Sequence, residues 1–404
     1  ITMHLNRLHQ IIHHFRQVAL LAGPLLAILV YCLVPEQAAG LNGAEIALGT
    51  AGRATAGLAV WMAVWWLTEA TSIYATALLP LALMPLLDVS SISETASAYA
   101  HPLIFLFLGG FILALALEKW HLHHRFALMV LRLVGTKPAT LVGGFMFVSA
   151  TLSMWITNTA TTLVMLPILL SIISLLDKDA PNRKNFSLCL LLGVAYAASI
   201  GGIGTIVGTV PNMFTVSFIQ NELGMEIGFA KWMTIGLPIV LVFVPLAWWL
   251  LTRFIYPPGE EAIDRAFLDK PTEPWTTGAK LTLVIFILTA ACWICRPLMM
   301  KWPPLANLSD TGIAIISALL LFTIPVNLKR REFLMDWATA IKIPWGVLLL
   351  FGGGLALAAA IRSSGVGELL ASQLGGLQGV HPLVMTLLVV TLIIFITELT
   401  SNTA

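Results

Sequence analysis

The sequence predicts an all-α polytopic membrane protein, an inverted-topology repeat with two re-entrant helical hairpins. Three observations carry that expectation. Of the 404 residues, 58% are hydrophobic and 10% charged, where soluble chains average about 25% charged. The apolar residues fall in runs of spanning length, and a bilayer-crossing helix needs about 20 residues. A Gly-Gly pair and a polar Asn-Thr tetrapeptide recur in the two halves at nearly equal spacing.

The apolar runs come in order at about 18–34, 54–68, 73–87, 102–118, 139–175, 186–218, 232–252, 279–296, 311–326 and 344–361. The last begins near 381. Trp and Gly, 13 and 31 of them, suit the same setting: Trp marks membrane interfaces and Gly lets helices approach closely. The net charge of +2 gives no reason to invoke nucleic acid. The chain starts at Ile1 and stops at Ala404 inside an apolar segment, and reads as a piece of a longer protein. No small-residue cleavage site follows the first run, so it reads as a membrane helix rather than a signal peptide.

The run at 139–175 is too long for one span, and SMWITNTATT interrupts it with hydroxyl and amide side chains. A helix–break–helix hairpin that enters and leaves on one side explains both features, because non-helical backbone at membrane depth survives only inside protein or beside a cavity. Loop charge agrees. Lys119, Arg125, Arg132 and Lys137 precede the run, and Lys178, Arg183 and Lys184 follow it. The positive-inside rule puts both groups in the cytoplasm, which requires an even number of crossings between them.

Carried onward, the count leaves the N-terminus cytoplasmic. The acidic loops at 35–52, 88–101 and 219–231 fall outside, and Arg253 to Lys280 and Lys329-Arg330-Arg331 fall inside. Arg296 and Lys301 fall outside, against the rule. Five crossings separate the first hairpin from the run at 381, so the second hairpin enters from the outer side. The expected organisation is an N-terminal helix and outer loop at 1–52, a first repeat at 53–253, a cytoplasmic linker at 254–278 and a second repeat at 279–404.

The repeat itself pairs FLFLGGFILALAL at 105–117 with LLLFGGGLALAAA at 348–360. Gly109 lies 49 residues before Asn158, and Gly352 lies 50 before Asn402. Thr157-Asn158-Thr159-Ala160 matches Ser401-Asn402-Thr403-Ala404. Inverted repeats of this kind build secondary transporters, with the site near the midplane where broken helices meet.

A broken helix presents N–H groups that favour anions at one end and C=O groups that favour cations at the other. Asn and Thr add donors for a carboxylate and hard neutral oxygens for an alkali cation. Neither hairpin centre nor the Gly-rich 199–212 segment holds Lys or Arg. A multivalent anion there needs counter-charge, and bound cations are its economical source. A neutral solute is the other reading of the same tips. ASIGGIGTIVGTVPN at 198–212 has two readings as well: a glycine packing stripe, or an unwound helix break. Its Gly202-x-Gly204 follows no strand, so it does not read as a dinucleotide site.

SMWITNTATTLVMLP, GTVPN and TELTSNTA resemble, in order and over nearly the whole chain, the divalent anion/sodium symporter family. That family includes bacterial and animal sodium–dicarboxylate and citrate transporters. The resemblance implies an elevator-type transporter in the bacterial inner membrane and a homodimer, with a scaffold and a moving transport domain. Its cargo would be small di- or tricarboxylates of the succinate, malate and fumarate type, carried with Na+. A sodium-independent exchanger or a sulfate-type divalent-anion transporter is the alternative. The family's first sodium site maps onto Ser153, Thr157, Asn158 and Gly208, and its second onto Thr397, Thr400 and Asn402. Its substrate contacts map onto Asn158, Thr159, Asn402 and Thr403, with Thr209 and Pro211 nearby. Thr157 stands where the family usually has Ser, and the last part of the second sodium site would lie beyond Ala404.

Other candidates read as structural. Cys32, Cys189, Cys292 and Cys295 lie in apolar stretches, as packing residues. His121, His123 and His124 sit in a basic loop and read as solvated charge rather than a metal site. Glu398 reads as a brace within the second hairpin, and Glu69 as structural near a helix end. An enzyme would want perturbed acids, His pairs or Cys at the polar breaks; the breaks hold Asn, Thr and Ser.

Overall fold

The computed structural model describes residues 2–40, 45–176, 182–260, 274–373 and 380–399. In chain order its elements begin with α1 (Thr2–Leu33), the short strands β1 (Gln37–Ala39) and β2 (Glu45–Ala47), and α2 (Gly49–Thr68). Next come α3 (Ile73–Thr76), α4 (Leu79–Leu86), α5 (Ile92–Tyr99), α6 (Pro102–Lys119) and α7 (Leu122–Val134). The central group is α8 (Pro138–Ser153), α9 (Asn158–Leu175), α10 (Arg183–Gly202), α11 (Val210–Leu223) and α12 (Phe229–Leu250). After residue 274 come α13 (Thr277–Met299), α14 (Asp310–Thr323), β3 (Pro325–Asn327), β4 (Glu332–Phe333), α15 (Trp337–Ala340), α16 (Trp345–Ser363), α17 (Val366–Gln373) and α18 (Pro382–Leu399).

The sequence starts these helices in familiar ways. Pro opens α6, α8 and α18, where its missing N–H costs nothing. Ser91 and Glu94 form a reciprocal capping box on α5. Thr276 and Ser309 accept from the third residue of α13 and α14. Six helices among the described residues are long and apolar enough to cross a membrane. Their outer faces carry large exposed apolar side chains, such as Leu241 and Phe243 on α12 and Ile287 and Leu288 on α13, a surface suited to lipid.

Three expectations need correction. The run at 73–87 is not one helix: it breaks after Thr76 and resumes at Leu79. The stretch at 119–137 is not merely a basic loop, since most of it forms the amphipathic helix α7. His123 on that helix is buried rather than solvated. The otherwise helical chain also carries two small antiparallel ribbons, β1–β2 and β3–β4. Of the 254–278 linker, residues 261–273 lie outside the described residues.

The chain divides into two compact units, residues 1–104 with 344–404, and residues 105–343. These units group the segments differently from the halves of the sequence repeat. In the first, α2 lies so close to α1 that a Cβ on Gly57 would sit 2.7 Å from the Ala27 carbonyl oxygen. A Cβ on Gly353 of α16 would sit 2.4 Å from the Ala77 carbonyl oxygen. In the second unit α8 and α10 share a core of Phe145, Met146, Phe186, Leu190 and Val194. There a Cβ on Gly109 would meet Ala314 of α14 at 2.7 Å. Both matched Gly-Gly pairs thus serve as close-approach points between helices.

The ion pairs join loops that the charge count assigns to one side. Arg16 meets Glu69 at 2.6 Å and Arg53 meets Glu36 at 2.9 Å. Lys119 meets Asp336 at 2.6 Å. Arg296, the residue that breaks the positive-inside pattern, reaches Glu226 at 3.0 Å and Asp310 at 3.2 Å. Two acids therefore offset its charge locally.

Candidate functional site

The polar break in the long run is where the sequence puts it. α8 ends at Ser153, and Met154 to Ile156 close onto its last carbonyls. Thr157 turns the chain with an extended backbone, and its hydroxyl accepts from Ala160 N at 3.3 Å to cap α9. A second break follows in the Gly-rich segment. α10 stops at Gly202, a single 3-10 turn covers Ile206–Gly208, and Thr209 is extended before α11. Of the two readings of that segment, the break is the one observed. The glycines also pack: a Cβ on Gly201 would lie 2.3 Å from the Ala150 carbonyl oxygen.

The two breaks meet inside one compact unit. The Thr205 hydroxyl donates to the Met154 carbonyl, from one break to the other. A Cβ on Gly208 would lie 2.4 Å from the Gly202 carbonyl oxygen and 2.9 Å from that of Ser153. A Cβ on Gly202 would lie 2.5 Å from Asn158 Oδ1. Ser153 Oγ donates to that same Oδ1 at 2.7 Å. Where α8 and α10 end, Ser153 O and Gly202 O thus close on the position a Cβ of Gly208 would take, and Asn158 Oδ1, held by Ser153 Oγ, lies beside Gly202. Helix C-termini carry partial negative charge, and every one of these oxygens is hard and neutral.

The N-termini of α9 and α11 begin beside the same breaks. Thr159 in the first turn of α9 and Pro211 in the first turn of α11 are exposed, and Thr209 is half-buried. Helix N-termini favour anions. Of the first-site residues, Ser153, Asn158 and Gly208 come together, while the Thr157 hydroxyl is engaged in capping. For the second site, the backbone of Thr397 lies in α18 but its side chain is not among those described. Thr400, Asn402 and Thr403 lie outside the described residues, as does the Glu398 side chain.

Sequence reasoning missed Asn212. It is buried, and its Nδ2 donates to the carbonyls of Gly202 and Thr205, both at 2.8 Å. It therefore holds the second break open in one shape. Its signal was a lone amide just after the Pro in the first turn of α11. Trp155 was missed too. Its ring, in the first break, stacks near Phe229 (5.9 Å) and Trp293 (6.3 Å) and meets Phe286 edge-on at 4.9 Å. Phe229 N and Trp293 Nε1 both donate to Asp310, at 2.8 and 2.9 Å. The first break is thereby tied to the Asp310–Arg296 pair.

Residues 63–404 match the citrate transporter family. The chain belongs to that family. Family membership and the spanning helices make it an integral membrane protein. Among curated relatives, it is 38% identical over 403 residues to a protein of Staphylococcus saprophyticus named Sodium-dependent dicarboxylate transporter SdcS. The match covers 96% of this chain and 75% of that relative. The proteins of the same name from Staphylococcus aureus strains USA300 and MW2 are 38% identical over 402 residues, with the same coverage. Citrate transporters of this family move carboxylates, and the crossed breaks pair an end suited to anions with an end suited to cations.

Proposed function

We propose that this protein is a secondary active transporter that moves small dicarboxylates across the membrane coupled to Na+. The observation that carries it is the meeting of two broken helices, where the carbonyls of Ser153 and Gly202 close on Gly208 and Asn158 Oδ1 lies beside Gly202. Relatives at 38% identity over nearly the whole chain are named for sodium and dicarboxylate, which supports the same reading. Na+ is cargo here. Ser153, Asn158 and the carbonyls beside Gly208 would hold it, and its charge would offset that of the carboxylates.

In this reading Asn158, Thr159 and Pro211 in the first turns of α9 and α11, with Thr209 just before α11, face the anion, and Asn402 and Thr403 complete its site from the second hairpin. Thr397, Thr400 and Asn402 hold a second sodium. The N-terminus is cytoplasmic and the two hairpins enter from opposite sides. The ion pairs Arg16–Glu69, Arg53–Glu36 and Lys119–Asp336 fit the grouping of loops by side, and the loop charge gives the orientation. The halves at 53–253 and 279–404 act as an inverted repeat. A homodimer and an elevator motion rest on the family resemblance. The role is transport rather than catalysis.

The cargo is tested by uptake of radiolabelled succinate into liposomes holding the full-length protein. Saturable uptake that malate and fumarate compete is the expected result. Uptake no greater than in empty liposomes would overturn the reading.

A further inference from the structure

A separate cavity of about 600 Å³ opens where α14 turns back toward α15, far along the chain from the breaks. Its walls include Lys119, Arg330, Arg331, Phe322, Phe333 and Trp337. The two arginines project from the turn between β3 and β4. That turn is built to hold them. Asn327 Oδ1 accepts from Lys329 N and Arg330 N at 3.1 and 3.3 Å, and Arg331 takes a left-handed backbone, φ 51°.

The charges in this cavity do not cancel. Lys119 and Asp336 satisfy each other at 2.6 Å, and Asp336 also caps α15 through Thr339 N at 2.8 Å. The Lys119 ammonium holds the Asp336 carboxyl below its ordinary range. Arg330 and Arg331 are exposed, and neither guanidinium has an ion pair or hydrogen bond among the described residues. Glu332 is the single acid left in the lining, against two arginines and the adjoining Lys329.

The other wall is apolar. Phe322 and Trp337 lie 6.1 Å apart at their ring centres, and Trp337 is 64% exposed. Exposed Trp beside basic residues at the end of a membrane helix marks the bilayer interface, and loop charge puts this end on the cytoplasmic side. Guanidinium forks match phosphate oxygens in a two-bond geometry. Basic pockets on the cytoplasmic side suit anionic lipid headgroups.

We infer that this cavity binds the phosphate of an anionic phospholipid headgroup, with Arg330 and Arg331 on the phosphate and Phe322 and Trp337 against the acyl chain. The site stands apart from the transport breaks and does not rest on the transport reading.

Native mass spectrometry of the purified full-length protein tests this, with phosphatidylglycerol, phosphatidylcholine and inorganic phosphate as probes. Wild type is expected to retain phosphatidylglycerol over phosphatidylcholine. R330Q/R331Q is expected to weaken that preference by about thirtyfold, from two surface charges. Excess inorganic phosphate should leave the lipid adduct in place. Where the double variant melts below wild type, R330Q alone is read instead, with about a fivefold loss expected. A variant that keeps the wild-type lipid preference overturns the inference. So does displacement of the lipid by inorganic phosphate, which would make the site one for free anions.

Discussion

Ser153 Oγ donates to Asn158 Oδ1 at 2.7 Å, joining the last residue of α8 to the first of α9 across the break between them. The bond fixes the carbonyl end of the Asn158 amide toward Gly202. Ser153→Ala removes that donor and one hydroxyl oxygen together. A neutral hydrogen bond contributes about 1 kcal/mol, so the sodium concentration for half-maximal succinate uptake should rise roughly five- to tenfold. Asn158→Ala, which removes an oxygen and the amide donor, should abolish uptake. An unchanged sodium dependence in the first variant would remove Ser153 from the cation site.

Gly208 has no room for a side chain. In Gly208→Ala the new methyl meets two backbone carbonyls, of Gly202 and Ser153, at 2.4 and 2.9 Å. Backbone cannot step aside as a flexible side chain can, so the cost should be about 1–3 kcal/mol. Uptake should be lost, with a lower melting temperature in detergent. Wild-type uptake in this variant would show that the breaks do not meet as described.

Asn212→Asp keeps the shape of the buried amide and removes its two N–H donors. The carbonyls of Gly202 and Thr205 would then face a carboxyl oxygen instead of a donor. Leaving buried polar groups unpaired costs about 1–3 kcal/mol each. Thermal unfolding should move down clearly, and uptake should fall even at saturating sodium. Equal melting curves for the variant and wild type would contradict the clamp.

The first break was legible because polar residues inside an apolar run have few innocent explanations. The second was only half legible. Gly201 and Gly208 serve both as packing contacts and as neighbours of the break, so glycine spacing alone could not separate the two readings. Asn212 was hidden because its partners are carbonyls, which leave no mark in side-chain identity. Arg296 looked misplaced because its acids lie 14 and 70 residues away in the chain. The split after Thr76 has no such long-range cause on view; Pro80 in the first turn of α4 was its visible signal, and composition alone ran across it.

His123 was misread because a histidine-rich basic stretch looks solvated. On α7 it is buried, and burial pushes its pKa from 6.5 down to about 4, helped by the charges of His121 and His124. Hydrogen bonding to the Leu117 backbone pulls the other way. Between those values the unfolded chain takes up a proton that the folded chain refuses. Stability is therefore full above about pH 6.5 and declines as pH falls toward 4, by on the order of 3 kcal/mol from this group. Melting temperatures measured across that range should drop in wild type and drop less in His123→Gln. Parallel curves for the two proteins would rule out this linkage.

Sodium coupling is tested most directly by its driving force. The full-length protein is reconstituted in liposomes, and radiolabelled succinate uptake is measured with an inward sodium gradient and then with potassium in its place. Crossed helix ends that present neutral oxygens, with no Lys or Arg at 139–175 or 199–212, leave the anion dependent on a bound cation for counter-charge. Uptake should accumulate with sodium and fall to background with potassium. Equal uptake with either cation would contradict sodium coupling.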